Sequence, residues 1–182
     1  SFSQFERNSN SQHSNTVNPI GVETISQIRL NTIVNNQYTK QMALAFIPES
    51  TDGVDRGIDA ISPVADNLPN DVYFFLDNNK YVIQGVNFDI NKRIPIGVKS
   101  TDNASFEFDA STIVNFDPSQ DIYLYDRQEG TYHDIKNDTY IVILPTGIYN
   151  NRFEITFKND ALSASNPIKE NVVVFQNNTN QL

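Results

Sequence analysis

The chain has no cysteine, no tryptophan, one methionine and two histidines among 182 residues. Without cysteine it can build no disulfide, no thiolate zinc site and no thiol nucleophile. The absence fits an exported protein that folds without redox help. His13 and His133 stand far apart, and neither has partners at the spacing of a zinc site or a catalytic triad, so both read as polar surface residues. No apolar stretch approaches the ~20 residues that a spanning helix requires, so no membrane insertion is expected. The first residues lack the pattern of a signal peptide, which for an exported protein implies a mature form or an excised piece.

Positive charge is also scarce. Thirteen Lys and Arg stand against 22 Asp and Glu, for a formal net charge of −9. That balance disfavours attachment to nucleic acid or to an anionic membrane surface. What the chain does have is 12 Phe and 8 Tyr, set in a background rich in Asn, Asp, Gln, Ser and Thr. Large rings for a core and turn-forming residues around them are the composition of a strand-and-loop protein with a polar surface. The length suits one domain.

Alternation of apolar and polar residues supplies the strands. Ile28 and Leu30 alternate with Gln27, Arg29 and Asn31; a turn at Asn35-Asn36 precedes Met42, Leu44 and Phe46 on one face. The run Val72–Leu76 carries no charged or amide residue and predicts a strand buried on both faces. An Asn78-Asn79 turn leads to Tyr81–Val86, and Arg93–Lys99 follows, with Pro95 implying an edge or a bulge. Phe106 and Phe108 mark another strand. The segment from Asp121 to Phe157 then reads as an antiparallel meander. About ten short strands and no useful helical period predict an all-β fold, an antiparallel β-sandwich of jelly-roll or immunoglobulin-like type. Its core is expected to hold Phe46, Phe75, Phe106, Phe108, Phe153, Ile155 and Phe157. Residues 1–24 read as a polar linker or edge segment, 25–158 as the sandwich, and 159–182 as a second linker with a strand at Val172–Phe175.

Three groups of residues invite a chemical reading. Asp52, Asp55 and Asp59, with Asp66 further on, are interleaved with Gly53 and Gly57. Oxygen-rich loops of this kind can hold Ca²⁺, although the spacing departs from the EF-hand and no bidentate Glu closes it. The alternative is a loop whose carboxylates accept backbone N–H bonds. Tyr123 and Tyr125 share the strand face opposite Ile122 and Leu124, where exposed rings could stack on sugars; the alternative is that they cover a sheet or a loop. Asp121 and Asp126 could be imagined as a glycosidase pair, a weak reading in so acidic a chain. Arg152 is expected to form a structural ion pair with Asp126 or Asp121.

Four blocks carry a resemblance: IRLNTIV at Ile28–Val34; TDGVDRGIDA at Thr51–Ala60; YVIQGV and IPIGVKS between Tyr81 and Ser100; and the array IYLYD…YHDIKNDTYIVIL…GIYNNRFEITF. In order and spacing, over roughly residues 25 to 158, they resemble the β-sandwich domain that precedes the C-terminal sorting domain in cargo of the type IX secretion system. The resemblance implies an extracellular or cell-surface location, attached to the outer membrane. It also implies that the partner is the type IX machinery, reached through an adjoining sorting domain that the strand Val172–Phe175 would lead into. On this reading the chain is a non-catalytic display module, for example part of an adhesin. The competing reading is a carbohydrate-binding module that grips polysaccharide through the tyrosines and the acidic loop. No cofactor other than calcium suggests itself.

Overall fold

Turn chemistry sets the first two hairpins of the fold. Asn35 and Asn36 adopt positive φ (51° and 54°), as do Asp77 and Asn78 (47° and 61°), a backbone region in which short polar side chains are tolerated. The second pair forms a two-residue connection of the kind that matches strand twist, one residue earlier than the Asn78-Asn79 pair would place it. The computed structural model describes residues 25–63 and 68–163. The N-terminal segment 1–24, Asp66 and the expected strand Val172–Phe175 lie outside them.

The described chain is all-β. Eleven strands run β1 (Ser26–Val34), β2 (Tyr38–Phe46), β3 (Ala60–Ile61), β4 (Asp71–Leu76), β5 (Asn79–Val86), β6 (Arg93–Ser100), β7 (Ala104–Val114), β8 (Tyr123–Asp126), β9 (Thr131–Asp134), β10 (Tyr140–Leu144) and β11 (Gly147–Thr156); one helical turn, α1 (Asp160–Ser163), follows. They form a single hydrogen-bonded sheet in the order β10-β7-β1-β2-β5-β4-β6-β11-β8-β9, with β3 added on β5. The sheet is mixed, because β2 and β5 run parallel from Ala43↔Ile83 to Phe46↔Val86. Its two ends nearly meet. His133 of β9 stacks on Tyr140 of β10 with ring centroids 3.6 Å apart, and the Ala110 amide of β7 donates to Ile135 O just beyond β9 (2.7 Å).

The core lies inside this curled sheet, where strands distant in the order face one another. Phe108 of β7 packs on Phe153 of β11 (5.9 Å), and Phe46 of β2 packs on Phe157 (5.7 Å). All the expected core residues are buried except Phe75. Val72 and Phe74 take the inner positions of β4, so Phe75 falls with Tyr73 on the other face, half-covered beside the Tyr73 ring (6.3 Å). Tyr73 is itself fully buried because its cross-strand partner is Gly97; a Cβ there would stand 2.1 Å from the tyrosine ring. Val72, Tyr73 and Phe74 are buried on both faces, but Phe75 and Leu76 are only half-covered, so the doubly buried stretch is shorter than the expected Val72–Leu76. Pro95 lies inside β6, paired with Glu154 of β11. The ladder from β6 to β4 ends at Ile96, so the missing N–H falls where β6 has lost one neighbour.

Candidate functional site

Alternation along β8 sends Leu124 inward and leaves Tyr123 and Tyr125 on the outer face, and strand register decides what they meet there. Tyr125 lies opposite Tyr132 of β9 on one side and Glu154 of β11 on the other. The Tyr125 and Tyr132 rings are 4.4 Å apart and tilted by 32°, whereas Tyr123 meets Tyr132 edge-on at 86°. Arg93, at the start of β6, lays its guanidinium over Tyr125 (4.9 Å from the centroid). The same group donates to Tyr132 Oη (2.8 Å), Glu154 Oε2 (3.1 Å) and Asp160 Oδ2 (2.7 Å). Arg127 adds a second hydrogen bond to Glu154. The tyrosines are thus brought together, but as a staggered set beneath an arginine rather than as a flat platform. Tyr132, a tyrosine of the same meander, completes the cluster with Arg93 and Glu154, which carry no local sequence signal and are revealed only by the register of four strands.

Beneath this face, Asp126 points inward and is fully buried. Arg152 Nε donates to both its oxygens (3.1 Å each) and Arg152 Nη2 to Oδ2 (2.7 Å), the expected ion pair in bidentate form. The amides of Gln128 and Glu129 also donate to Oδ1 (2.9 and 3.3 Å). Burial by itself would raise the Asp126 pKa, but the Arg152 hydrogen bonds and charge, helped by the two amides, hold it below the usual carboxylate range. Asp121 is occupied separately, accepting from Tyr123 Oη (3.2 Å). Asp126 is thus buried and committed to Arg152, the arrangement of a structural ion pair.

Burial depresses the pKa of His133 despite the charges of Asp126 and Glu129, and its Nε2 lies 2.9 Å from Thr131 Oγ1. His13 lies outside the described residues.

The acidic block folds as a looped turn against β5. Asp55 accepts from the Thr51 amide (2.7 Å) and from Thr51 Oγ1 (3.0 Å). Asp59 accepts from the Asp55 amide (2.7 Å) and, with its other oxygen, from the Gly85 amide (2.7 Å), which fastens the loop to the sheet. Asp52 turns away to pair with Lys92. Each carboxylate is therefore directed at a different partner, and among the described residues no group of three or more His, Asp or Glu side chains is arranged to hold a metal ion.

Residues 1–157 match a family described as "Domain of unknown function (DUF8693)". The chain belongs to that family. No curated protein and no solved structure matches it.

Proposed function

We propose that this domain is a non-catalytic structural module of a cell-surface or extracellular protein, exported by the type IX route through an adjoining sorting domain. The observation that carries the structural part is the outer-face cluster. Arg93, Tyr125, Tyr132, Glu154 and Arg127, residues that could in principle grip a ligand, spend their hydrogen bonds and ring faces on one another and so clamp β6, β11, β8 and β9 together. The export part rests on the four sequence blocks, which lie on β1, the Asp loop, β5 and β6, and the strands from β8 to β11.

We read the sheet as a β-sandwich of jelly-roll or immunoglobulin-like type. One layer is β10-β7-β1-β2 and the other β4-β6-β11-β8-β9, with β5 passing from one to the other. Support comes from β5, which pairs with β4 at Asn79–Tyr81 and with β2 at Ile83–Val86, and from the Phe108–Phe153 contact across the interior. The near-meeting of β9 and β10 is then a corner of the sandwich rather than the seam of a barrel.

The test is a fusion of this chain with its natural C-terminal extension, expressed in a host that has the type IX system. Surface display that is lost when the extension is deleted supports the export reading. Equal display with and without the extension overturns it. The staggered rings beneath Arg93 offer sugar stacking no flat surface, which disfavours a tyrosine platform.

A further inference from the structure

The two margins of the sheet are built differently. β9, at one end of the strand order, is four residues long and carries His133 and Asp134, the short and polar make-up that keeps an edge from pairing. β10, at the other end, reads Tyr-Ile-Val-Ile-Leu from Tyr140 to Leu144, with neither charge nor proline. Alternation along it leaves Ile141 and Ile143 on the outer face, 58% and 67% exposed. Ile33 of β1 lies in the same row as Ile141, with Glu107 of β7 between them. The contact of β10 with β9 is made at the Tyr140 end, through the His133 ring, and leaves both isoleucines in solvent.

The ladder also fixes where the main chain of these residues points. Ser105 of β7 turns to the β1 side, its oxygen accepting from the Asn35 amide (2.9 Å) and its amide donating to Asn35 Oδ1 (2.8 Å). Successive residues of a strand face opposite neighbours, so Phe106 and Phe108 turn toward β10 and bond their register partners Val142 and Tyr140. Ile141 and Ile143 therefore direct their N–H and C=O away from β7. Among the described residues no strand pairs with that side of β10.

Unpaired main-chain groups on an uncharged strand rich in β-branched residues are a template for another strand. A second copy of β10 fits that template in one register. With a twofold axis at Val142, antiparallel pairing sets Ile141 against Ile143 of the second copy and Ile143 against its Ile141. Each outward N–H and C=O then meets its complement, and four isoleucines pack as cross-strand neighbours on one face. Charge permits the match even in a chain of net charge −9. Asp138 would face Thr146, and the two Glu107 carboxylates would stand three strand spacings apart, about 14 Å, beyond the Debye length at physiological salt. Five strand residues per copy make a seam well below the ~800 Å² per partner of a standard interface, so the association is weak and reversible. We propose that β10 is a self-association edge, through which two copies of this domain pair antiparallel about Val142 into one continuous sheet. The pairing belongs to the folded domain and does not depend on the export route.

The test is sedimentation of the whole 182-residue chain from about 1 µM to about 1 mM, a span over which a seam of this size should pass from monomer toward dimer. Ile143→Lys places like charges at the seam and should raise the dimer dissociation constant about 10-fold or more, with the melting temperature of the dilute chain unchanged. Ile148→Lys, at an isoleucine of β11 that is just as exposed (68%), should leave association unaltered. Because the chain has no cysteine, Val142→Cys gives a second readout. Across a non-hydrogen-bonded antiparallel pair the Cα atoms stand about 4.5 Å apart, within disulfide reach, so mild oxidation should yield a cross-linked dimer. Ile148→Cys should yield little. The proposal is overturned by a chain that stays monomeric throughout, by Ile143→Lys associating like the parent, by loss of association in Ile148→Lys, or by Val142→Cys cross-linking no faster than Ile148→Cys.

Discussion

Asp126 and Asp71 are both withdrawn from water, at 0% and 1% exposure, yet Asp126 is held below the ordinary carboxylate range and Asp71 is raised above it. Desolvation pushes both upward and is opposed less successfully at Asp71, which lies deeper and meets different partners. Asp126 receives a forked guanidinium and two backbone amides at hydrogen-bond distance. Asp71 faces two ammonium groups, Lys40 at 3.5 Å and Lys80 at 3.6 Å, and the amide of its neighbour Val72 at 3.0 Å. Two positive charges achieve less than one, because Asp71 is the more deeply desolvated and because the rigid fork delivers several short bonds from a single side chain whereas each ammonium is a more distant point charge. In an acidic chain without disulfides, the meander end therefore carries a carboxylate fixed by bidentate geometry, whereas Asp71 at the start of β4 is met by two more distant ammonium groups.

The largest effect should come from cutting the better-made pair. Arg152→Ala leaves Asp126 buried without its counter-charge, and a loss of about 3 to 5 kcal/mol is expected in urea melts; a loss below about 1 kcal/mol would erase the contrast. Replacing the carboxylates themselves sharpens it. Asp126→Asn forfeits charge-assisted bonds and should cost about 1.5 to 3 kcal/mol, whereas Asp71→Asn should cost about 1 kcal/mol or less, since Asp71 gains little from being charged.

The same two residues should act with opposite sign on pH dependence. A depressed Asp126 adds stability above pH ~3.9 that disappears as pH falls through its folded value, while a raised Asp71 adds stability below pH ~3.9 that disappears as pH rises through its own. Asp126→Asn should thus flatten the acid limb of the stability profile and Asp71→Asn should steepen it. Identical limbs would show that neither shift is real.

A smaller effect belongs to His133, whose lowered pKa makes its contribution present above pH ~6.5 and lost as the imidazole is forced to protonate on acidification. Subtracting the profile of His133→Phe from that of the parent, between pH 7.5 and 5 at roughly half-unit steps, should isolate this fall. A flat difference would dismiss it. Least of all should happen at Asp55 and Asp59, whose oxygens are taken by backbone amides and the Thr51 hydroxyl. A chelator is expected to leave the melting temperature unchanged. A drop reversed by added Ca²⁺ would reinstate the calcium loop through mass action.

Most strands were legible because alternation is a local property: Ile28 to Phe46, Phe106 and Phe108, and Phe153 to Phe157 declare their inward faces within a few residues. The pair Arg152 and Asp126 was legible from charge within the meander. Phe75 was not, because a hydrophobic run gives no phase and either Phe74 or Phe75 can face inward. Nor could local reading expose the parallel β2–β5 pairing, or the convergence of Arg93, Tyr125, Tyr132 and Glu154, since both depend on which distant strands become neighbours. Gln84 sits in a strand where an amide looks like an ordinary outward residue. Its burial exists only once β5 is packed between β2 and β4.

β11, the last strand among the described residues, is inserted between β6 and β8 rather than added at a margin. Its ladder to β6 joins Gly147 to Ser100 and Thr156 to Arg93, while the ladder to β8 joins Phe153 to Asp126. A ribosome making this chain from the N-terminus therefore releases β1 to β8 well before the strand that unites them. Until Thr156 has emerged, β6 presents a bare hydrogen-bonding edge and the Phe153 and Phe157 rings are missing from the interior. Completion of the sheet is consequently a late event of biosynthesis, governed by long-range closure and slow by comparison with helical domains of this size. Any factor that holds the chain before that point handles an unfinished sheet with one open seam.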